Sequence, residues 1–165
     1  MIQLKPNESQ KAYAKEQSEG FKEGSRTVMG NGRNFIGFVG EKAVADLLKA
    51  QHLPSNHYDL ILEDGTKVEC KTFSNKYEPK PHFECNVMET STFQQCDIYI
   101  FSSYNIEKNL LYVCGYISRD DFYAKAKKIR KGEVSPKNGI KYRANGYIIT
   151  VRDLLPIEDL LCLNT

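Results

Sequence analysis

Two β-prone runs, His57 to Leu62 and Thr66 to Phe73, flank Glu63-Asp64-Gly65, and this pair constrains the fold more than any other stretch of the chain. Glycine at the end of so short a polar connection suits the left-handed position of a hairpin loop, so the two runs are expected to pair antiparallel. A three-residue loop sets Leu62 against Thr66 and places Asp59 opposite Glu69. A two-residue Asp64-Gly65 turn instead sets Asp59 against Cys70 and sends it to the other face. In Lys67-Val68-Glu69-Cys70-Lys71-Thr72 the strand period of two puts Lys67, Glu69 and Lys71 on one face and Val68 and Cys70 on the other.

The hairpin needs something to cover it. Asn34 can cap a helix carrying Ile36, Val39, Ala43, Val44 and Leu47 on one face at three- and four-residue spacing, which predicts a helix packed on the sheet. Further strands are expected over Phe83 to Met88, Asp97 to Ser102, Leu110 to Ile117 and Gly146 to Val151. A short helical turn is expected around Ser91 to Gln95, a helix over Asp120 to Ile129 capped by Ser118, and a last short helix over Pro156 to Leu163. Helices interleaved with strands indicate an α/β class with a central mixed sheet flanked by helices. Residues 1–33 read as a polar helical arm, with Ala12, Tyr13, Ala14 and Phe21 as its few apolar marks. A glycine-containing connector with Gly24, Gly30 and Gly32 follows. Residues 34–165 then form a single domain.

At 165 residues with 41% hydrophobic content, the chain can bury one real core. No run of about 18 apolar residues occurs, which predicts a soluble, intracellular chain without a membrane partner. Cys70, Cys85, Cys96 and Cys114 sit in apolar or strand-like runs without a CxxC pair, so buried, reduced thiols are expected. His82, Cys85 and Cys96 match no zinc-ligand spacing.

Carboxylates are the side chains that hold Mg²⁺, so converging acids beside a lysine suggest phosphodiester chemistry. Two like charges facing each other across a hairpin are unfavourable unless a cation lies between them, and a metal would resolve Asp59 against Glu69. An isolated E-x-K is more often a solvated ion pair, as Glu78-Pro79-Lys80 illustrates: proline and polar neighbours leave that copy without a strand to orient it. Glu41 lies at the border of the apolar helix face, where a core helix can aim an acid at the sheet edge.

The order Gly40-Glu41-Lys42-Ala43 on a helix, then Tyr58-Asp59-Leu60, then Val68-Glu69-Cys70-Lys71-Thr72 resembles the PD-(D/E)XK, or restriction endonuclease-like, nuclease superfamily over residues 34 to 73. The resemblance implies a restriction endonuclease-like core and a Mg²⁺-dependent DNA endonuclease, with Mn²⁺ as a substitute ion. It implies that Asp59, Glu69 and the Cys70 backbone carbonyl ligate the metal, and that Glu41 completes the acidic site through a water or a second metal. Lys71 would position or activate the attacking water and touch the scissile phosphate. Tyr58 stands where the family name has proline, and Cys70 where a larger aliphatic residue is common; neither departure removes a charged group.

A net charge of +2 says little by itself, but between Lys125 and Arg143 eight basic residues face one acid, Glu133. Lys125, Lys127, Lys128, Arg130, Lys131, Lys137, Lys141 and Arg143 are therefore candidates for phosphate contacts to DNA, with Lys76 and Lys80 beyond the E-x-K strand. His82 and Tyr77 fall near the same loop; Arg26 and Arg33 flank the glycines. His52 and His57 are read as surface residues without a catalytic role. An enzyme cutting both strands would work as a homodimer. The competing expectation is a DNA-binding or partner-binding module on the same fold that cleaves nothing, and geometry decides between them: acids within reach of one ion favour the enzyme.

Overall fold

The computed structural model describes residues 1–20 and 31–162. The connector expected after residue 20 therefore lies outside the described residues as far as residue 30, Arg26 included. The elements run β1 (Ile2–Leu4), α1 (Glu8–Gly20), α2 (Asn31–Leu48), β2 (Gln51–His52), β3 (Leu60–Ile61), β4 (Lys67–Ser74) and β5 (Glu84–Met88). They continue with β6 (Ile98–Asn105), β7 (Leu110–Ser118), α3 (Arg119–Lys125), β8 (Lys127–Ile129), β9 (Gly146–Thr150) and α4 (Glu158–Cys162). Among the described residues the main sheet has the order β1-β7-β6-β4-β3-β2, and a smaller one has the order β5-β9-β8. The β4/β6 pair is parallel and the other pairs of the main sheet are antiparallel, so the sheet is mixed and the class is α/β.

Alternation along β6 explains the layering. Ile98 and Ile100 face a core shared with Ile36, Val39, Val44 and Leu48 of α2, whereas Tyr99 and Phe101 face a second core with Val87 of β5, Ile149 of β9 and Phe122 of α3. The helices α1 and α2 thus cover one face of the main sheet and the small sheet with α3 covers the other. On β4, Val68 and Cys70 belong to the helix side, which leaves Glu69 and Lys71 on the side of the small sheet.

The hairpin closes with the register of a three-residue loop. Leu60 pairs with Val68 and Ile61 with Lys67, Leu62 N–H donates to Thr66 C=O at 2.9 Å, and Gly65 has a φ of +88°. Only glycine takes that angle without cost, so Gly65 fixes the turn.

Three expectations shift. The first twenty residues are more engaged than their polarity predicts: β1 pairs with β7, and α1 lies on α2 through Gln10, Ala14 and Ser18, a stripe at four-residue spacing. Asn7 and Gln10 cap the start of α1 reciprocally, each side-chain oxygen accepting the other's backbone N–H at 2.9 Å, and Gln10 Nε2 donates to Asp46 Oδ2 on α2 at 2.8 Å. The second shift is at α2, which starts at Asn31 and not at an Asn34 cap. Phe35 and Phe38 pack against the helix-side core, and that tertiary gain outweighs the weak helix propensity of Asn34. The third concerns the helix expected to reach Ile129, which stops at Lys125. Ser118 caps it by accepting Asp121 N–H, but Ala126 is extended and Lys127–Ile129 joins β9 as a strand.

Gly40 sets how closely α2 approaches β4. A methyl group there would overlap Thr72 Oγ1 and lie 2.8 Å from the Thr72 Cβ. Gly40→Ala is therefore expected to lower stability by about 1–3 kcal/mol through overpacking, despite alanine's better helix propensity. The shift of the urea midpoint at unchanged slope measures it; an unchanged or raised midpoint would show that the two elements are free to separate.

Candidate active site

Glu69 and Lys71 project from β4 beside Tyr99 and Phe101, their partners on the parallel strand β6. That neighbourhood buries Glu69 to 5% exposure, a costly place for a carboxylate without partners. Two partners are present. Lys71 Nζ lies 2.6 Å from Glu69 Oε1, and Gln94 Nε2 donates to the same oxygen at 2.6 Å, while Gln94 Oε1 accepts from Lys71 Nζ at 3.2 Å. The carboxylate, ammonium and amide form a closed triangle, which fixes the orientation of the amide.

Gln94 is buried and was not singled out from the sequence. It is delivered by the turn after β5, where Thr92 and Gln94 N–H groups donate to the Glu89 and Ser91 carbonyls. In sequence it is one of two adjacent glutamines in a polar turn, and nothing there distinguishes it from exposed Gln95.

Asp59 occupies the residue just before β3. Continued register would put it across from Glu69; instead its N–H donates to Val68 C=O at 2.8 Å, and its Oδ2 accepts the N–H of Cys70 at 2.8 Å. The side chain thus takes the place of the missing ladder partner at this edge of β4. Because the N–H and C=O of one residue leave a strand on the same side, the Cys70 carbonyl emerges on that edge as well.

Glu41 comes from the other side of the sheet, on the turn of α2 held close by Gly40. Its Oε2 lies 3.6 Å from His52 Nε2, beyond hydrogen-bond reach, and His52 stands on β2 at the position paired with Leu60. His57 packs edge-on against Phe93, with ring centroids 5.7 Å apart.

Electrostatics tie these acids together. Burial, then the charges of Glu41 and Glu69, hold the Asp59 carboxyl well above the usual carboxylate range, with the Cys70 N–H and Lys71 opposing. Glu41 Oε2 and Glu69 Oε2 are buried without a hydrogen-bond partner among the described residues. Unpartnered carboxylate oxygens crowding a third acid are the donor set that a hard divalent cation takes. The residues therefore fit such an ion in chemistry. Among the described residues, however, no group of three or more His, Cys, Asp or Glu side chains is gathered as ligands, and Glu69 is turned onto Lys71 and Gln94.

The thiols take no part. Cys70, Cys85, Cys96 and Cys114 are buried, and burial pushes Cys96 up to about 11 and Cys114 up to about 12, which keeps both protonated at neutral pH.

The basic residues divide by position. Lys137, Lys141 and Arg143 line a cleft of about 690 Å³ that also takes in Lys71, Tyr77 and His82. Lys76 pairs with Glu107 at 2.8 Å and Lys128 with Glu89 at 2.8 Å, while Lys80, Lys125, Lys127, Arg130 and Lys131 are exposed and do not line the cleft.

Comparison with protein-family models and with curated proteins finds no match for this chain. Among the described residues no helix is long and apolar enough to cross a membrane.

Proposed function

We propose that this chain is a Mg²⁺-dependent DNA endonuclease with a restriction endonuclease-like core, hydrolysing phosphodiesters at Glu41, Asp59, Glu69 and Lys71. The observation that carries the reading is the buried Asp59 carboxyl pressed by two further acids beside a lysine. Such an arrangement destabilises an empty fold and is kept where the charges serve a ligand. The covering helix α2, the β3/β4 hairpin and the parallel β4/β6 pair support the restriction endonuclease-like assignment.

Asp59, Glu69 and the Cys70 carbonyl would hold the ion, and Glu41 would complete the site through a water or a second ion. When bound, the ion supplies charge neutralisation at the phosphate and a more acidic water. Lys71 would then leave Glu69 to orient that water and touch the scissile phosphate, and Gln94 would keep its ammonium aimed at the reacting centre. Asp59 would hold the ion as a carboxylate, so binding would strengthen as pH rises.

One observation favours a second reading. The closed Glu69-Lys71-Gln94 triangle satisfies the lysine and one carboxylate oxygen without an ion, as expected of a binding module that no longer cleaves.

Incubating the protein with supercoiled, linear and branched DNA in Mg²⁺, Mn²⁺ or EDTA separates the two. Metal-dependent cutting, absent in EDTA, is expected; folded protein that cuts none of these DNAs under any condition would leave the binding module as the better reading.

A further inference from the structure

We infer that the cleft beside Lys71 is a seat for an unpaired DNA strand, so that the substrate of the proposed nuclease presents single-stranded nucleotides there and not an intact duplex. The inference rests on the nuclease reading for its placement next to the scissile phosphate, but the cleft's chemistry stands by itself.

Size sets the first limit. At about 690 Å³ the cleft falls within the range of small-ligand pockets, roughly 300–1,000 Å³, enough for a nucleotide or two. A B-DNA duplex, whose major groove alone is about 12 Å wide, has no room inside it.

Its lining supplies the second limit. Proteins that bind single strands combine cations along the backbone path with aromatic rings on which bases stack. Lys137, Lys141 and Arg143 are exposed on the loop between β8 and β9, while Tyr77 and Phe83 approach from the segment between β4 and β5. Among the described residues no carboxylate lies in ion-pair range of Lys141 or Arg143, whereas Lys76 and Lys128, outside the cleft, are already paired. Lys141 and Arg143 are thus uncommitted where a phosphate backbone would run, though the exposed Lys80, Lys125, Lys127, Arg130 and Lys131 outside the cleft also lack ion pairs among the described residues.

Glu84, the acid among the lining residues, does not spoil this. Its Oε1 accepts from the Ser135 hydroxyl at 2.9 Å, and the Tyr142 hydroxyl donates to its two oxygens at 3.0 and 3.1 Å. The carboxylate is drawn into the wall, and the pairing fixes the Tyr142 ring beside Lys141 and Arg143. Lys137 Nζ reaches to 3.5 Å from the His82 carbonyl, tying the basic loop to the segment before β5. A strand laid between these walls passes Lys71 at the end of the cleft formed by β4.

The test uses the wild-type protein in EDTA, where metal-dependent cutting is suppressed, with a fluorescein-labelled oligothymidylate octamer and a blunt hairpin duplex with a stem of the same length. Anisotropy should show the single strand bound at least about ten-fold more tightly, in keeping with aromatic stacking on the bases. A Lys141→Ala, Arg143→Ala double substitution should weaken single-strand binding and lower its salt slope by roughly 0.7 per lost phosphate contact. Both side chains are exposed, so an unchanged unfolding temperature verifies that the double variant is folded. Tyr142→Phe, which keeps the ring but loses its bonds to Glu84, should bind more tightly than Tyr142→Ala, which should lose about five- to a hundred-fold, the range of one stacked base. Duplex binding as tight as or tighter than single-strand binding overturns the inference, as does single-strand affinity unmoved by the double variant and by Tyr142→Ala.

The two readings fail separately. Single-strand binding in the cleft without cutting of any DNA in Mg²⁺ or Mn²⁺ removes the nuclease and keeps the seat. Metal-dependent cutting of blunt duplex without single-strand preference removes the seat and keeps the nuclease.

Discussion

Lys71→Ala is expected to lower metal-dependent DNA cleavage by about 10²–10⁴-fold, the usual range for a residue that positions or activates a reacting water. Lys71 is part-buried and bonded to Glu69 Oε1 at 2.6 Å, so its loss also strips a buried carboxylate of its cation. Gln94 still donates to that oxygen, so the variant should unfold cooperatively within roughly 2–4 °C of wild type. Lys71→Arg should not restore cleavage, because a planar guanidinium cannot replace a compact ammonium in the same triangle. Rates from a supercoiled-plasmid nicking assay, with unfolding temperatures beside them, check both halves. Wild-type cleavage by Lys71→Ala would remove the lysine from the chemistry.

Asp59→Asn is expected to abolish cleavage and, in the absence of metal, to raise stability. Folding places this carboxyl where burial, Glu41 and Glu69 all oppose its charge, and its pKa is well raised in consequence. A raised carboxyl binds its proton more tightly folded than unfolded. Its contribution is therefore fully present below the unfolded value, about 3.9, and is lost as pH rises through the folded one. The wild type thus carries an ionised, uncompensated Asp59 once the pH passes that folded value, whereas asparagine has no charge and can still accept the Cys70 N–H through its side-chain oxygen. Relief of functional strain is commonly worth about 0.5–2 kcal/mol. The difference in unfolding temperature between variant and wild type should be small near pH 4 and grow as pH rises.

Lowered carboxyls such as Asp46 and Asp153 act in the opposite sense in both proteins, so the difference isolates Asp59. Saturating Mg²⁺ should raise the wild-type unfolding temperature and leave the variant unmoved, through binding to the folded state alone. A variant less stable than wild type at neutral pH without metal would show that Asp59 serves as a structural acceptor.

The parts of the fold legible in the sequence are those decided by local chemistry. Gly65 closes the hairpin because the loop needs a positive φ, and the alternation of Val68 and Cys70 with Glu69 and Lys71 follows from the strand period. Ser118 caps α3 as its sequence suggests, yet the end of that helix was not readable. Phe122 and Ile129 lie seven residues apart and suit a continued helix, but the open edge of β9 takes Lys127–Ile129 as a strand. The same pairing divides the basic segment, leaving part of it on β8 and bringing Lys137, Lys141 and Arg143 to the cleft.

Burial of α1 was hidden for a related reason. Its contact stripe uses Gln10 and Ser18, polar residues that become interior only because Asp46 and a backbone carbonyl receive their hydrogen bonds. At the candidate site, Glu41, Asp59, Glu69 and Lys71 were visible through their order along the chain. Gln94 was not, because its role exists only where the turn after β5 folds over β4.

The central claim is that Glu41, Asp59 and Glu69 form one divalent-cation site beside Lys71. Titrating Mn²⁺ into the metal-free protein and following the free ion by electron paramagnetic resonance tests it most directly. The account predicts saturable binding in the wild type and its loss in both Asp59→Asn and Glu69→Gln. Binding that survives both substitutions, or no saturable binding by folded wild-type protein, would contradict it.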